Sequence, residues 1–259
     1  MIESEFVNTK VDGKVLIVEI NRPEKMNAVH PPANRDLGEV FDKFAEDKDL
    51  WVAIITGAGD RAFCAGNDLR YQAEGGEMFP VPSGFGGLTN RYDLFKPVIA
   101  AVNGVAMGGG FEIALACDLI IASDNARFAL PEPKVGLAAL AGGLHRLPRQ
   151  IGLKQAMGMM LTGRHVMADE GKELGFINEV VPQAELMDAA MRWAGMIAEC
   201  SPSSVRTTKE VAMKGLDTAN LEEAFSMRYD AIGLMLKGPD FIEGPLAFAQ
   251  KRKPNWSGE

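Results

Sequence analysis

The stretch AVNGVAMGGGFEIALACD, residues 101–118, sets three consecutive glycines, Gly108, Gly109 and Gly110, in front of a lone carboxylate, Glu112. Everything around them is apolar. Glycine costs about 1 kcal/mol relative to alanine inside a helix, and an unpartnered carboxylate is expensive to bury. Both features oppose stability unless something must approach the backbone closely, so the stretch is either a tight packing corner or a site. On its left, PVIAAV (97–102) is a short continuous apolar run, and a helix opening near Gly109 follows the glycines. Strand, glycine turn and helix form the unit from which the rest of the chain is read.

Working outward, WVAIIT (51–56) and LIIAS (119–123) have the continuous apolar character of strands buried on both faces. VLIVEI (15–20) is a strand bounded by DGK and NRP. PANRDLGEVFDKFAED (32–47) spaces Leu37, Val40, Phe41 and Phe44 at helical intervals. Strands alternating with helices predict an α/β fold. VAIIT runs into GAGDRAFCAGNDL much as VIAAV runs into NGVAMGGGFEI, a weak internal repeat whose helix N-termini can converge on one point. The segment QAEGGEMFPVPSGFGGLTN (72–90) is aperiodic and rich in glycine. It is read as a mobile loop or lid whose Phe79 and Phe85 close over a ligand, or as a surface loop tacked down by those rings.

From residue 151 the pattern is mostly helical, broken by the short strand FINEVV, and Pro202 with CSPSS supplies a stop and a new N-cap. We therefore expect a core over 1–200 and a helical segment over 201–259. The methionines within 157–160 and 187–196 are expected in the core or at a subunit interface.

Composition narrows the function classes. A chain of 259 residues with 47% hydrophobic and 24% charged residues is a globular protein. No apolar run reaches the ~18 residues of a membrane span. The start, MIESEFVNTK, is acidic and polar where a signal peptide is basic and then apolar, so a cytoplasmic location is expected. Thirty-five acidic against 27 basic residues oppose a nucleic-acid face. Cys64, Cys117 and Cys200 lack CxxC spacing and are expected as core thiols. His30, His145 and His165 lack metal-site spacing and are expected at the surface or an interface, so no metal site is expected. There is no G-x-S-x-G elbow. GAGDRA (57–62) matches a dinucleotide fingerprint, but FCAG interrupts the helix that should follow, and Asp60 and Arg61 sit where the backbone should meet pyrophosphate.

Carboxylates and backbone amides remain as the available chemistry. A helix opening at Gly109 presents unpaired amides and positive dipole potential, and glycine removes the Cβ that would keep a ligand away. Glu112 lies about one turn further on. In the other half-repeat the amide of Asn67 occupies the similar place, and two such amides aimed at one point would form an oxyanion hole. RFALPEPKVGL (127–137) holds Glu132 between prolines, a rigid position for a second carboxylate. Glu112 and Glu132 could hold a water between them as base and acid. The structural alternative makes Glu132 a loop cap and Glu112 a buried hydrogen-bonding group.

The strings NRPEKMNAV (21–29), AFCAGNDL (62–69), KPVIAAVNGVAMGGGFEIALACDLIIAS (96–123), FALPEPKVGL (128–137), LTGRHVMADEGKELGFINEVV (161–181) and AFAQKRKPNW (247–256) resemble the crotonase, or enoyl-CoA hydratase/isomerase, family along nearly the whole chain. The resemblance implies a spiral of ββα units with a helical C-terminal trimerisation segment, in trimers often paired into hexamers. It implies an acyl-CoA substrate, with coenzyme A arriving on the substrate and no permanently bound cofactor. By the same resemblance Asn67 and Gly109 give the oxyanion-hole amides, and Glu112 and Glu132 are the catalytic pair. Met26, Ala28, Ala65, Asp68 and Leu69 would line the CoA path, and Phe248 and Lys251 would approach the adenine end. Both glutamates together imply hydration or dehydration; isomerisation, or a non-catalytic CoA- or RNA-binding relative, is the alternative. Ala139 and Leu140 stand where the family often has proline and then a small or acidic residue, so Leu140 is expected to make the acyl pocket more apolar.

Overall fold

The computed structural model describes residues 4–77 and 79–258. The first three residues of the polar start and Met78 of the 72–90 segment lie outside the described residues. The strands are β1 (Val7–Asp12), β2 (Val15–Ile20), β3 (Val52–Gly57), β4 (Ala62–Cys64), β5 (Val98–Val102), β6 (Val105–Met107), β7 (Leu119–Ser123), β8 (Arg127–Ala129), β9 (Val166–Met167) and β10 (Glu179–Val181). The helices that frame the core are α1 (Pro31–Glu46), α2 (Leu69–Ala73), α3 (Gly109–Ala116), α4 (Gly143–Ile151), α5 (Leu153–Thr162), α6 (Ala168–Leu174) and α7 (Leu186–Ala198). After them come α8 (Pro202–Gly215), α9 (Leu221–Ser226), α10 (Asp230–Lys237) and α11 (Asp240–Ala249).

Six strands form one sheet in the order β1-β2-β3-β5-β7-β10. Only the β1–β2 hairpin is antiparallel; the remaining pairs are parallel. Strand periodicity explains why β3 is buried at every residue. Val52 and Ile54 face α7, packing with Ile99, Ala101, Ile121, Leu186 and Ala190, while Ala53 and Ile55 face the larger core with Leu37, Phe41, Phe111 and Ile113. Both faces are covered, so an alternating apolar–polar pattern would bury polar groups.

A second sheet, β4-β6-β8-β9, consists of strands of two or three residues. β3 continues through a turn to β4, and β5 through Asn103 and Gly104 to β6, so each unit turns a corner from the large sheet to the small one. The Asn103 side chain ties these corners together, accepting from Gly57 N–H at 3.2 Å and donating to the carbonyls of Gly57 and Gly59 at 2.8 and 2.7 Å. The small sheet carries the turns that build the site.

Two expectations are corrected and one open reading is narrowed. His30 is buried, because its Nδ1 accepts from the Ala33 amide as the N-cap of α1 and its ring packs edge-on against Phe6 and Tyr71. Cys200 is exposed beyond the end of α7, whereas Cys64 and Cys117 are core thiols. The second half of the 72–90 segment is packed: Ser83, Gly86, Gly87, Leu88 and Thr89 are buried against α1 and α3, and the Gly86 amide donates to Asn34 Oδ1 at 2.6 Å. Among the described residues no helix is long and apolar enough to cross a membrane.

Candidate active site

The glycine run resolves into three separate demands. Gly108 has φ +52 and lies under Glu132, where a Cβ would stand 2.9 Å from Oε1. A Cβ on Gly109 would fall 2.5 Å from the Phe85 ring. One on Gly110 would overlap the carbonyl of Cys64, so the bare backbone lets α3 dock its first turn on β4. The packing corner and the site are the same place.

The two half-repeats converge. Gly66 has φ +97, and a Cβ there would lie 3.2 Å from the Gly109 amide nitrogen and 2.8 Å from the Met107 carbonyl. The 64–68 turn is thus pressed against the start of α3. Val29 pairs with Asn67 as a parallel bridge, taking up the Gly66 carbonyl and the Asp68 amide. In parallel pairing the bonds go to the residues on either side of the partner, which leaves the Asn67 N–H directed away from Val29. Among the described residues neither the Asn67 N–H nor the Gly109 N–H, the first of α3, has an acceptor.

Glu112 sits in the first turn of α3, buried, with Oε1 accepting from the Gly143 amide at 2.8 Å. Burial pushes its carboxyl up to about 7; the Gly143 amide opposes this, the nearby charge of Glu132 adds to it, and the Ala141 amide and Arg146 oppose it. Glu132 begins a 3-10 turn, Glu132–Val135, just after β8, fixed by Pro131 and Pro133. Burial raises its pKa as well. Its Oε2 is buried with no hydrogen-bond partner among the described residues, which a loop-capping role would have supplied. A carboxyl whose pKa is raised holds its proton more readily for donation, and one that titrates near 7 can accept one.

Several contributors escaped the sequence reading. The Gly143 amide orients Glu112, and its only trace in the sequence is the AGG string at 141–143. Arg146 on α4 lies near Glu112 and donates to the Thr89 carbonyl at 2.9 Å, joining α4 to the packed half of the 72–90 segment. Phe85, which the sequence reading did name, is mounted on that segment, its amide bonded to Thr89 Oγ1 at 2.8 Å. The other expected residues fall in two places. Met26, Ala28, Ala65 and Leu69 flank the Asn67 turn, with Ala65 N–H donating to the Met26 carbonyl at 3.0 Å. Asp68 is buried there, and its carboxylate is committed to Arg22 at 2.9 Å and to the cap of α2. Its side chain holds the turn. Phe248 is 87% exposed on α11, whose side-chain bonds run to Ser201, Arg252 and Ser257, not to the 64–68 turn. Leu140 is 82% exposed, and Ala139 beside it is buried. Among the described residues no group of three or more histidine, cysteine, aspartate or glutamate side chains is placed to hold a metal ion.

The comparisons with known proteins fall on this geometry. The family model described as Enoyl-CoA hydratase/isomerase matches residues 10–259. The chain belongs to the enoyl-CoA hydratase/isomerase family. It is 44% identical over 261 residues to a carnitinyl-CoA dehydratase of Proteus mirabilis (strain HI4320), covering 98% of this chain and 99% of that protein. A carnitinyl-CoA dehydratase of Escherichia coli (strain K12) is also 44% identical, over 263 residues, with the same coverage. Among solved structures, an enoyl-CoA hydratase from Mycobacterium tuberculosis H37Rv superposes with a TM-score of 0.93 at 38% identity, over 99% of this chain and 100% of that one. The crotonase spiral read from the sequence is therefore the fold, and the unit that recurs in it, a strand turning a corner into the small sheet before a helix, carries the unpaired amides of Asn67 and Gly109.

Proposed function

We propose that this enoyl-CoA hydratase/isomerase family member is an acyl-CoA hydratase/dehydratase that adds or removes water across the 2,3-double bond of an enoyl-CoA thioester. One observation carries the reading: the buried carboxylate of Glu112 and the half-buried one of Glu132, whose Oε2 is buried and unpartnered, stand beside two unpaired amides, those of Asn67 and Gly109, with Glu112 titrating at about 7. The thioester carbonyl sits against the amides, which stabilise the negative charge that reaches its oxygen as water attacks Cβ. One such donor is worth ~10²–10³ in rate. Glu112 takes a proton from the attacking water as the C–O bond forms. The π electrons move to the enolate oxygen, and Glu132 gives its proton to Cα as they return. The cycle leaves Glu112 protonated and Glu132 ionised, and exchange with solvent restores both.

Carnitinyl-CoA as the particular substrate is supported by the names of the 44% identical relatives. The 137–141 segment beside the carboxylates, LAALA, has no charge to recognise a trimethylammonium group. A neutral short enoyl thioester is therefore the second candidate. The exposed apolar side chains of the C-terminal helices, Leu216, Phe225, Leu234, Ile242 and Phe248 among them, favour a trimer or a pair of trimers built through residues 201–259 on the 1–200 core. Such packing would allow Phe248 and Lys251 to reach a neighbour's CoA. A substrate carrying coenzyme A, with no other cofactor and no membrane or nucleic-acid partner, suits a cytoplasmic enzyme. The test is loss of the conjugated enoyl-thioester absorbance with crotonyl-CoA and, in parallel, crotonobetainyl-CoA. Turnover of either supports the reaction and their ratio assigns the acyl group; binding of both without turnover would overturn the proposal.

A further inference from the structure

The Asn67 amide is held from one side by a single segment. The Val29 N–H donates to the Gly66 carbonyl at 2.8 Å, the Asp68 N–H donates to the Val29 carbonyl at 3.2 Å, and the Ala65 N–H donates to the Met26 carbonyl at 3.0 Å. All of these partners lie in residues 22–29. That segment contains two successive non-glycine residues in the left-handed region, Met26 and Asn27, each with φ 54. Such backbone persists only where its surroundings over-determine it. Asn27 does so in part: its fully buried side chain accepts from the Arg22 amide at 3.0 Å and donates to the carbonyls of Ala58 and Ala62 at 2.9 and 2.7 Å.

Arg22 closes the arrangement. Its Nη1 donates to the Ala28 carbonyl, and its Nη2 donates to Asp68 Oδ2 at 2.9 Å. The other carboxylate oxygen of Asp68 accepts from the Tyr71 amide at 3.1 Å, at the start of α2. The guanidinium therefore ties the two edges of the Val29–Asn67 bridge together and anchors α2 to the same point. The side chains of the pair are only 10% and 9% exposed. A buried ion pair contributes little net stability over an apolar replacement, because desolvation offsets its attraction. What a planar fork supplies at such a place is direction and distance.

We propose that the Arg22–Asp68 pair is the positioning element of the oxyanion hole, fixing the Asn67 N–H relative to the Gly109 N–H; this rests on the reading of both amides as oxyanion donors. Arg22 touches no reacting atom and acts through Asp68 and Ala28. Oxyanion donors must be held to about 0.5 Å, and a displacement near 1 Å costs about a hundredfold in rate. Loosening the pair should therefore appear in turnover rather than in capture of the thioester.

The test compares wild-type protein with Arg22→Lys and Arg22→Met, and with Lys209→Met as a control. Lys209 pairs with Asp118 at 2.7 Å, away from the 64–68 turn. Two readouts are used: kcat and KM on the enoyl thioester, and the red shift of a conjugated dienoyl-CoA on binding, which reports polarisation of the carbonyl. For Arg22→Met we expect kcat to fall about ten- to a hundredfold with KM changed less than about threefold. The red shift should shrink in parallel, and Arg22→Lys should recover part of both. Lys209→Met should lower the melting temperature without altering either readout. A folded Arg22→Met protein with full kcat and full red shift would overturn the proposal. If Arg22→Met does not fold, Arg22→Lys and Asp68→Asn carry the same test, since both retain a hydrogen bond between the partners. A wild-type protein with neither turnover nor red shift would remove the oxyanion reading itself, and the proposal with it.

Discussion

The amide of Gly143 donates to Glu112 Oε1 at 2.8 Å, so the start of α4 holds the carboxylate that projects from α3. That bond favours the ionised form, yet burial and the charge of Glu132 leave the group titrating at about 7. As a base Glu112 must be ionised, so kcat/KM for hydration should fall as pH drops through about 7. A pH–rate profile checks this. A rate flat from well above to well below that value would remove Glu112 from the base role.

Glu132 is expected to act with its proton on. Glu132→Gln keeps the shape and loses the acid, and a general acid contributes about 10²–10⁴ in rate. We expect a loss of that order with thioester affinity little changed. Transfer of deuterium from heavy water to Cα of the product should vanish in step with it. Undiminished labelling would mean that another group delivers the proton.

The corner at Gly110 should tolerate no side chain. A Cβ there overlaps the Cys64 carbonyl, and overpacking a rigid site costs about 1–3 kcal/mol. Gly110→Ala should lose that much stability in denaturant titration and lose more activity than stability, because the Gly109 amide moves with the helix. The same substitution at Gly158, where a Cβ meets nothing within 4 Å, should be nearly silent in both measurements.

His30 makes stability depend on pH. Burial and then the charge of Arg22 hold its pKa below the ordinary 6.5. As pH falls below 6.5 the unfolded chain gains a proton that the folded chain still refuses, so the unfolded state binds more protons and stability declines. Thermal melts should show this decline, and His30→Asn, which keeps an N-cap acceptor, should flatten it. An unchanged slope in the variant would place the effect on other groups.

The legibility of this chain follows chemical sense. Runs such as VAIIT and LIIAS announce strands because both faces of the large sheet are covered. The glycines before Glu112 announce a place of close backbone approach, which here is both a packing corner and the site. The small sheet was not legible: strands such as Val166–Met167 are too short for any period to register. His30 reads as a surface residue because capping through a ring nitrogen leaves no pattern in the sequence. The engagement of the Asp68 carboxylate by Arg22 was not legible either, because the two lie 46 residues apart in the sequence.

The most direct measurement follows heavy oxygen from labelled water into the product of an enoyl-CoA thioester, with wild-type protein, Glu112→Gln and Glu132→Gln side by side. The account predicts label at Cβ with wild type and at least about a hundredfold slower labelling in each variant. Labelling at the wild-type rate in either variant would contradict the shared role of the two carboxylates. So would wild-type protein that binds the thioester and leaves it unhydrated.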